Sequence, residues 1–148
     1  MTKLRKIDAE NYWECLNLKV AEQQSTFVAP NSVSLAEAWV FSEEARPFAI
    51  YSDDGQMIGF VMLACYPEKP EFVIWRFMID QRFQGQGYGK SALQNTVDWL
   101  VQEYQPEKIY LSVEPENVGA TGLYEKFGFE KTGEIEDGEA VMVLDLKK

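Results

Sequence analysis

The chain has 148 residues, 46% hydrophobic and 14% aromatic, with 24 acids against 14 bases and a formal net charge of −10. That is enough for one globular domain with a proper core, spanning 1–148, and too few residues for two ordinary ones. The acidic balance argues against a nucleic-acid partner, which needs basic residues for the phosphate backbone; it fits either plain solubility or a polycationic substrate drawn in by the field.

In chain order, residues 4–7 read as a short first strand. Residues 8–21 read as a helix with Tyr12, Leu16 and Val20 in one stripe. Ser34, with Glu37 three residues on, reads as the capping box of a second helix running to about Ala45. Pro47 marks the change to a strand over 48–51. Asp53-Asp54-Gly55 is a hairpin turn into a strand over 57–65, and Pro67 and Pro70 bracket the next turn. A β-branched and aromatic strand covers 72–80. A helix over 90–104 follows, its stripe made by Leu93, Val97, Leu100 and Val101. Residues 109–113 alternate as a strand, and the strand–helix–strand unit implies a parallel, right-handed crossover. Asn117 caps a helix carrying Ala120, Leu123, Tyr124 and Phe127, with Gly128 at its C-terminal stop. Residues 129–135 and 140–146, joined by Asp137-Gly138, close the chain as a hairpin. The order β-α-α-β-β-β-α-β-α-β-β is an α/β arrangement, a mixed sheet with helices on both sides.

Two widely separated cysteines, Cys15 and Cys65, lie among apolar residues outside any metal or redox spacing, as buried thiols in a reducing compartment would. The absence of histidine removes His triads, His metal sites and His general bases, so no metal is expected. The polar N-terminus has no apolar signal core, and no stretch approaches the ~20 apolar residues of a membrane span. The expectation is a cytoplasmic protein with no membrane partner.

The feature richest in chemistry is Gln84-Gly85-Gln86-Gly87-Tyr88-Gly89-Lys90, standing between a strand and a helix start. Glycines let the backbone approach a ligand closely. First-turn N–H groups lack intrahelical acceptors, and the helix dipole favours an anion, so the turn reads as a phosphate cradle. A P-loop would end in Gly89-Lys90-Ser91 but needs a glycine at position 84, where Gln84 stands. A dinucleotide fingerprint needs Gly-x-Gly-x-x-Gly, and Gly85, Gly87 and Gly89 are spaced too closely. A plain glycine-rich turn is the bland alternative.

Gln84-x-x-Gly87-x-Gly89 resembles the pyrophosphate loop of the GNAT superfamily of acyl-CoA-dependent N-acyltransferases. Asn117-x-x-Ala120-x-x-Leu123-Tyr124-x-x-x-Gly128-Phe129 is similar to that superfamily's second signature, and the element order is that of its fold. Within it, Arg76 to Gly85, Ile109 to Ser112 and the ending around Gly133-Glu134 and Val141 to Val143 are similar to bacterial spermine/spermidine acetyltransferases. The resemblance implies a central mixed, mostly antiparallel sheet with one splayed parallel strand pair. It implies acetyl-CoA as co-substrate and a polyamine as acceptor. Main-chain groups of Phe77, Met78 and Ile79 would pair with the pantetheine arm. A free N–H near Met78–Ile79 would polarise the thioester carbonyl. Amides from Gly85 through Gln86, Gly87, Tyr88, Gly89 and Lys90 would hold the diphosphate, with Arg82 and Lys90 adding charge. Asn117 would contact the cofactor or simply cap its helix.

Tyr124 would protonate the departing thiolate. A phenol with pKa near 10 stays protonated at neutral pH and lies not far above a thiol near 8.5. The acceptor ammonium must first lose a proton, at a cost of about 4–5 kcal/mol from a pKa of about 10.4. Glu114, Glu71, Glu37 or a water chain would take that proton. Trp75 stands where polyamine acetyltransferases often carry an acid, and it either lines a substrate channel as a cation–π surface or fills the core. Other readings are the same chemistry on an antibiotic, an amino acid or a protein, or a non-catalytic acyl-CoA sensor. The resemblance allows a homodimer, and nothing in the sequence fixes the oligomeric state.

Overall fold

The computed structural model describes residues 1–66 and 68–147, and the expected turn residue Pro67 lies outside them. The seven strands are β1 (Thr2–Lys6), β2 (Ala45–Ser52), β3 (Met57–Tyr66), β4 (Glu71–Ile79), β5 (Lys108–Val113), β6 (Glu130–Glu136) and β7 (Glu139–Asp145). The helices are α1 (Tyr12–Leu16), α2 (Asn31–Val40), α3 (Tyr88–Tyr104) and α4 (Val118–Phe127). Among the described residues the strands form one sheet in the order β1-β2-β3-β4-β5-β7-β6, and only β4 and β5 run parallel. The expected element order and mixed sheet hold.

Strand alternation splits the core between two faces. Phe48 and Ile50 of β2 join Leu93, Val97 and Leu100 of α3 and Tyr124 of α4 on one side. Ala49 and Tyr51 join Cys15, Leu18 and the α2 residues Leu35 and Ala38 on the other. Val101, counted in the α3 stripe, is instead exposed at 41%. Both hairpin turns form as expected. At Asp137-Gly138 the two residues have φ of 49° and 80°, the doubly left-handed geometry that matches the twist of a hairpin.

Two helical expectations need correction. The stripe over 8–21 yields only the five-residue α1, and Tyr12 is 46% exposed. The chain leaves the helix because tertiary bonds capture it: Lys19 N–H donates to Asp80 Oδ2 at 2.9 Å, and Gln81 N–H donates to the Lys19 carbonyl at 2.7 Å. The second helix starts three residues before Ser34 and ends at Val40. Buried Asn31 anchors its start by donating to the Cys15 carbonyl at 2.9 Å, which leaves Ser34 inside the helix, fully buried, rather than at its cap. Ala45, the expected helix end, opens β2.

Candidate active site

The site begins with a one-residue irregularity in β4. Met62 of β3 pairs with Arg76 and Leu63 pairs with Ile74, so Trp75 is an extra residue, a β-bulge. The bulge reverses the facing of β4. Phe72 and Ile74 before it, and Phe77 and Ile79 after it, all turn toward α3 and α4, while Trp75 and Met78 turn toward α1 and α2. The parallel pairing with β5 covers Val73 with Tyr110 and Ile74 with Leu111, and then stops. Beyond the bulge the two strands part. Asp80 N–H donates to Ile58 O at 2.8 Å, toward β3. By alternation, the main-chain groups of Met78 also face β3, and those of Phe77 and Ile79 face the open edge left by β5.

Two cavities occupy this opening. The loop-side cavity, about 440 Å³, is bounded by Phe77 to Ile79, by Gln84, Gly85 and Gly89, and by α4 from Asn117 to Tyr124. The sheet-end cavity, about 300 Å³, lies between the splayed strands and is bounded by Trp75, Arg76, Glu114, Glu139 and Tyr124. Phe77, Asn117, Ala120 and Tyr124 line both. Tyr124 therefore stands at the wall where the cavities meet. Its ring packs edge-on against Phe77 and Phe129, at centroid distances of 6.4 and 6.0 Å. Burial pushes its phenol well above its usual value near 10, so it stays protonated.

The glycine turn follows a short 3-10 segment, Gln81–Phe83. Gly85 and Gly87 have φ of 77° and 85°, a left-handed geometry that a side chain at either position would strain. Gly87 is the N-cap of α3, so the N–H groups of Tyr88, Gly89 and Lys90 have no acceptor inside the helix. A Cβ on Gly89 would stand 3.3 Å from Leu123 Cδ2, so this glycine lets α3 and α4 approach closely. The side chains of Gln86, Tyr88 and Lys90 line neither cavity. Gln86 and Lys90 are exposed, and Tyr88 packs edge-on against Phe83. Arg82 is committed elsewhere, with its Nε 2.8 Å from Asp80 Oδ1. Asn117 does cap α4, accepting from Ala120 N–H at 3.3 Å, while also lining both cavities.

The three carboxylates named from the sequence separate here. Only Glu114 (and not Glu71 or Glu37) lines the sheet-end cavity. Glu71 lies on a separate hollow of the sheet with Lys108 and Glu134, and Glu37 is held by Arg76 at 2.8 Å. Trp75 lines the cavity and packs edge-on against Phe41 at 6.1 Å, with the Arg76 guanidinium 5.4 Å from its ring centroid. Glu139 was not singled out by sequence reasoning. The Val113–Ala140 pair brings it beside Glu114, and its place just after the Asp137-Gly138 turn was the available signal. Burial, then repulsion from Glu114, raises its pKa; Asp137 adds to the rise and Arg76 opposes it. Gln24, which accepts from Gln84 Nε2 at 2.9 Å, had no sequence signal.

Residues 10–129 match the acetyltransferase (GNAT) family. A spermine/spermidine N(1)-acetyltransferase of Bacillus subtilis (strain 168) is 33% identical over 150 residues, covering 97% of each chain. A crystal structure of spermidine N-acetyltransferase from Vibrio cholerae in complex with CoA and spermine has a TM-score of 0.81 at 21% identity, covering 99% of this chain and 96% of that one. A dodecameric structure of the Vibrio cholerae enzyme in an intermediate state has a TM-score of 0.76 at 20% identity, covering 99% and 95%. With the splayed parallel pair, the glycine turn and Tyr124 in place, the chain belongs to the GNAT acetyltransferase family and has its fold.

Proposed function

We propose that this protein transfers the acetyl group of acetyl-CoA to a primary amine of a polyamine, spermidine or spermine, by direct attack in a ternary complex. The observation that carries this reading is the meeting of two cavities at Tyr124, one bounded by the glycine turn and the other by two carboxylates. The residues fit acetyl-CoA. The open edge of β4 offers the Phe77 main-chain groups to an extended pantetheine arm, with Met78 packing below. The turn from Gln84 to Gly89, with the unsatisfied amides up to Lys90, suits a diphosphate. The Ile79 N–H is the donor for the thioester oxygen. Tyr124 protonates the leaving thiolate, and Asn117 shapes the passage between the cavities while capping α4.

The polyamine assignment draws support from the Bacillus subtilis relative and from the charge of the acceptor side. Arg76 is neutralised by Glu37, which leaves Glu114 and Glu139 as net negative charge in the sheet-end cavity. We read residues 1–148 as one N-acetyltransferase domain. Two buried thiols fit a reducing compartment such as the cytoplasm, and among the described residues no helix is long and apolar enough to cross a membrane. Trp39 and Val40 on α2, 84% and 69% exposed, support a homodimer or larger homo-oligomer.

A thiol-release assay with spermidine, lysine and an aminoglycoside tests the assignment. Release with spermidine alone is the expected result. Release with the other amines instead moves the enzyme to another acceptor, and no release with any amine identifies an acyl-CoA-binding sensor.

A further inference from the structure

Amine acetylation has a proton to remove before a bond forms, because an alkylammonium has no free lone pair. Tyr124 is already protonated and is the donor to sulfur. The five β4 residues lining the sheet-end cavity, Val73 to Phe77, include no carboxylate. Arg76 among them is paired with Glu37 at 2.8 Å, so neither partner is free to serve the amine. The carboxylates in this cavity come from the other strands: Glu114 just after β5, and Glu139 opening β7 beside it.

The two differ in surroundings. Glu139 is half-buried and faces Glu114 from the end of β5, Asp137 from the β6–β7 turn and Arg76 from β4. Burial and the two acidic neighbours outweigh the arginine and raise its affinity for a proton. Two carboxylates beside one ammonium would ordinarily stabilise the charged amine and oppose the reaction. This pair escapes that conflict, because protonating Glu139 relieves its repulsion with Glu114.

We propose that Glu139 accepts the proton of the acceptor ammonium in the sheet-end cavity, while Glu114 holds that ammonium by its charge. The assignment rests on the acetyl-transfer reading above. One N–H proton passes to a Glu139 carboxylate oxygen. The freed lone pair forms the C–N bond at the thioester carbonyl carbon as the C–S bond breaks, its electron pair leaving on sulfur. The Tyr124 hydroxyl protonates that sulfur, and the phenolate recovers the second proton from the acetylated nitrogen. Glu139 then releases the first proton to solvent, so the products are an amide, a free thiol and one proton.

Glu139→Gln and Glu114→Gln test this, because each keeps the shape of the side chain at a half-exposed position. Acetylation is followed across pH, and CoA binding is measured by calorimetry on each variant. Glu139→Gln is expected to lower kcat by about 100-fold or more, to leave the Kd for CoA unchanged and to abolish the acidic limb of the kcat–pH profile. Glu114→Gln is expected chiefly to raise the KM for the amine. It should also move that limb to lower pH, since loss of the neighbouring negative charge lowers the Glu139 pKa. A Glu139→Gln kcat within about threefold of wild type, with the acidic limb in place, overturns the assignment whatever the amine. If the wild-type enzyme prefers a monoamine to spermidine, the polyamine reading fails. Loss of turnover in Glu139→Gln with that monoamine still supports Glu139, which acts on the reacting nitrogen and not on the polyamine chain.

Discussion

Gln84 reaches back from the glycine turn to the strand that precedes it: its Nε2 donates to the Ile79 carbonyl at 2.8 Å. The same nitrogen lies 2.9 Å from Gln24 Oε1, so one amide fixes the turn to the open edge of β4 and to the segment covering it. A glutamine at this position is thus a strut under the glycine turn. Gln84→Ala removes two partly buried hydrogen bonds, worth roughly 1–2 kcal/mol together, and frees the turn. Calorimetry should show a Kd for CoA raised by about 5- to 30-fold, with kcat at saturating acetyl-CoA little changed.

Tyr124→Phe keeps the ring packed between Phe77 and Phe129 and removes only the hydroxyl. Turnover should fall by about 10²- to 10⁴-fold, the range for loss of a general acid. The Kd for CoA and the melting temperature should stay close to wild type. Because burial raises the Tyr124 pKa above 10, the wild-type kcat–pH profile should show no alkaline limb from this group below about pH 10. Unchanged turnover in the variant would remove Tyr124 from the chemistry.

Asp80 is 2% exposed and accepts from Arg82 N–H, Arg82 Nε and Lys19 N–H at 3.0, 2.8 and 2.9 Å. Burial alone would raise its pKa, but the hydrogen bonds from Arg82 and Lys19, with the Arg82 charge, outweigh it and hold the pKa below the usual value. Its stabilising contribution is therefore complete above the unfolded pKa of about 3.9 and is lost as pH falls through the lowered folded value. Asp80→Asn cannot accept from all three donors. It should cost about 2 kcal/mol or more in urea unfolding at pH 7, and that difference from wild type should shrink as the pH falls through the lowered folded pKa of Asp80.

The thiols respond at the other end of the pH scale. Burial pushes Cys15 up to about 11 against a partial offset from the Asn31 hydrogen bond. It pushes Cys65 to about 11 against offsets from the Arg46 charge and a Tyr104 hydrogen bond. Folded values above unfolded ones mean stability that is complete below about pH 9 and is lost as pH rises toward 11. The loss should reach about 2 kcal/mol per thiol. Thermal melts from pH 8 to 11 should show the decline, and the Cys15→Ala/Cys65→Ala pair should flatten it.

Local chemistry made much of this molecule legible. The left-handed turns at Gly85, Gly87 and Asp137-Gly138, the Asn117 cap and the β-branched strands write their backbone preference into the residues that adopt it. The failures came where distant groups decide. The stripe at Tyr12, Leu16 and Val20 is sound helix patterning, but Asp80, more than sixty residues on, captures Lys19 and ends the helix early. Ser34 with Glu37 has the capping spacing, but the bond from Asn31 to Cys15 moves the start upstream. Glu139 stayed hidden because its neighbour Glu114 is set by the register of β5 against β7, two strands that α4 and β6 separate in the chain, and the strut role of Gln84 depends on Gln24, which packing alone brings near.

A spermidine–CoA conjugate joined at the reacting nitrogen and sulfur gives the most direct test of the meeting of the two cavities at Tyr124. If one holds the cofactor and the other the amine, the conjugate fills both at once and should bind at least about 100-fold more tightly than CoA alone by calorimetry. Affinity no better than that of CoA would mean that the sheet-end cavity does not receive the amine, and would contradict the account.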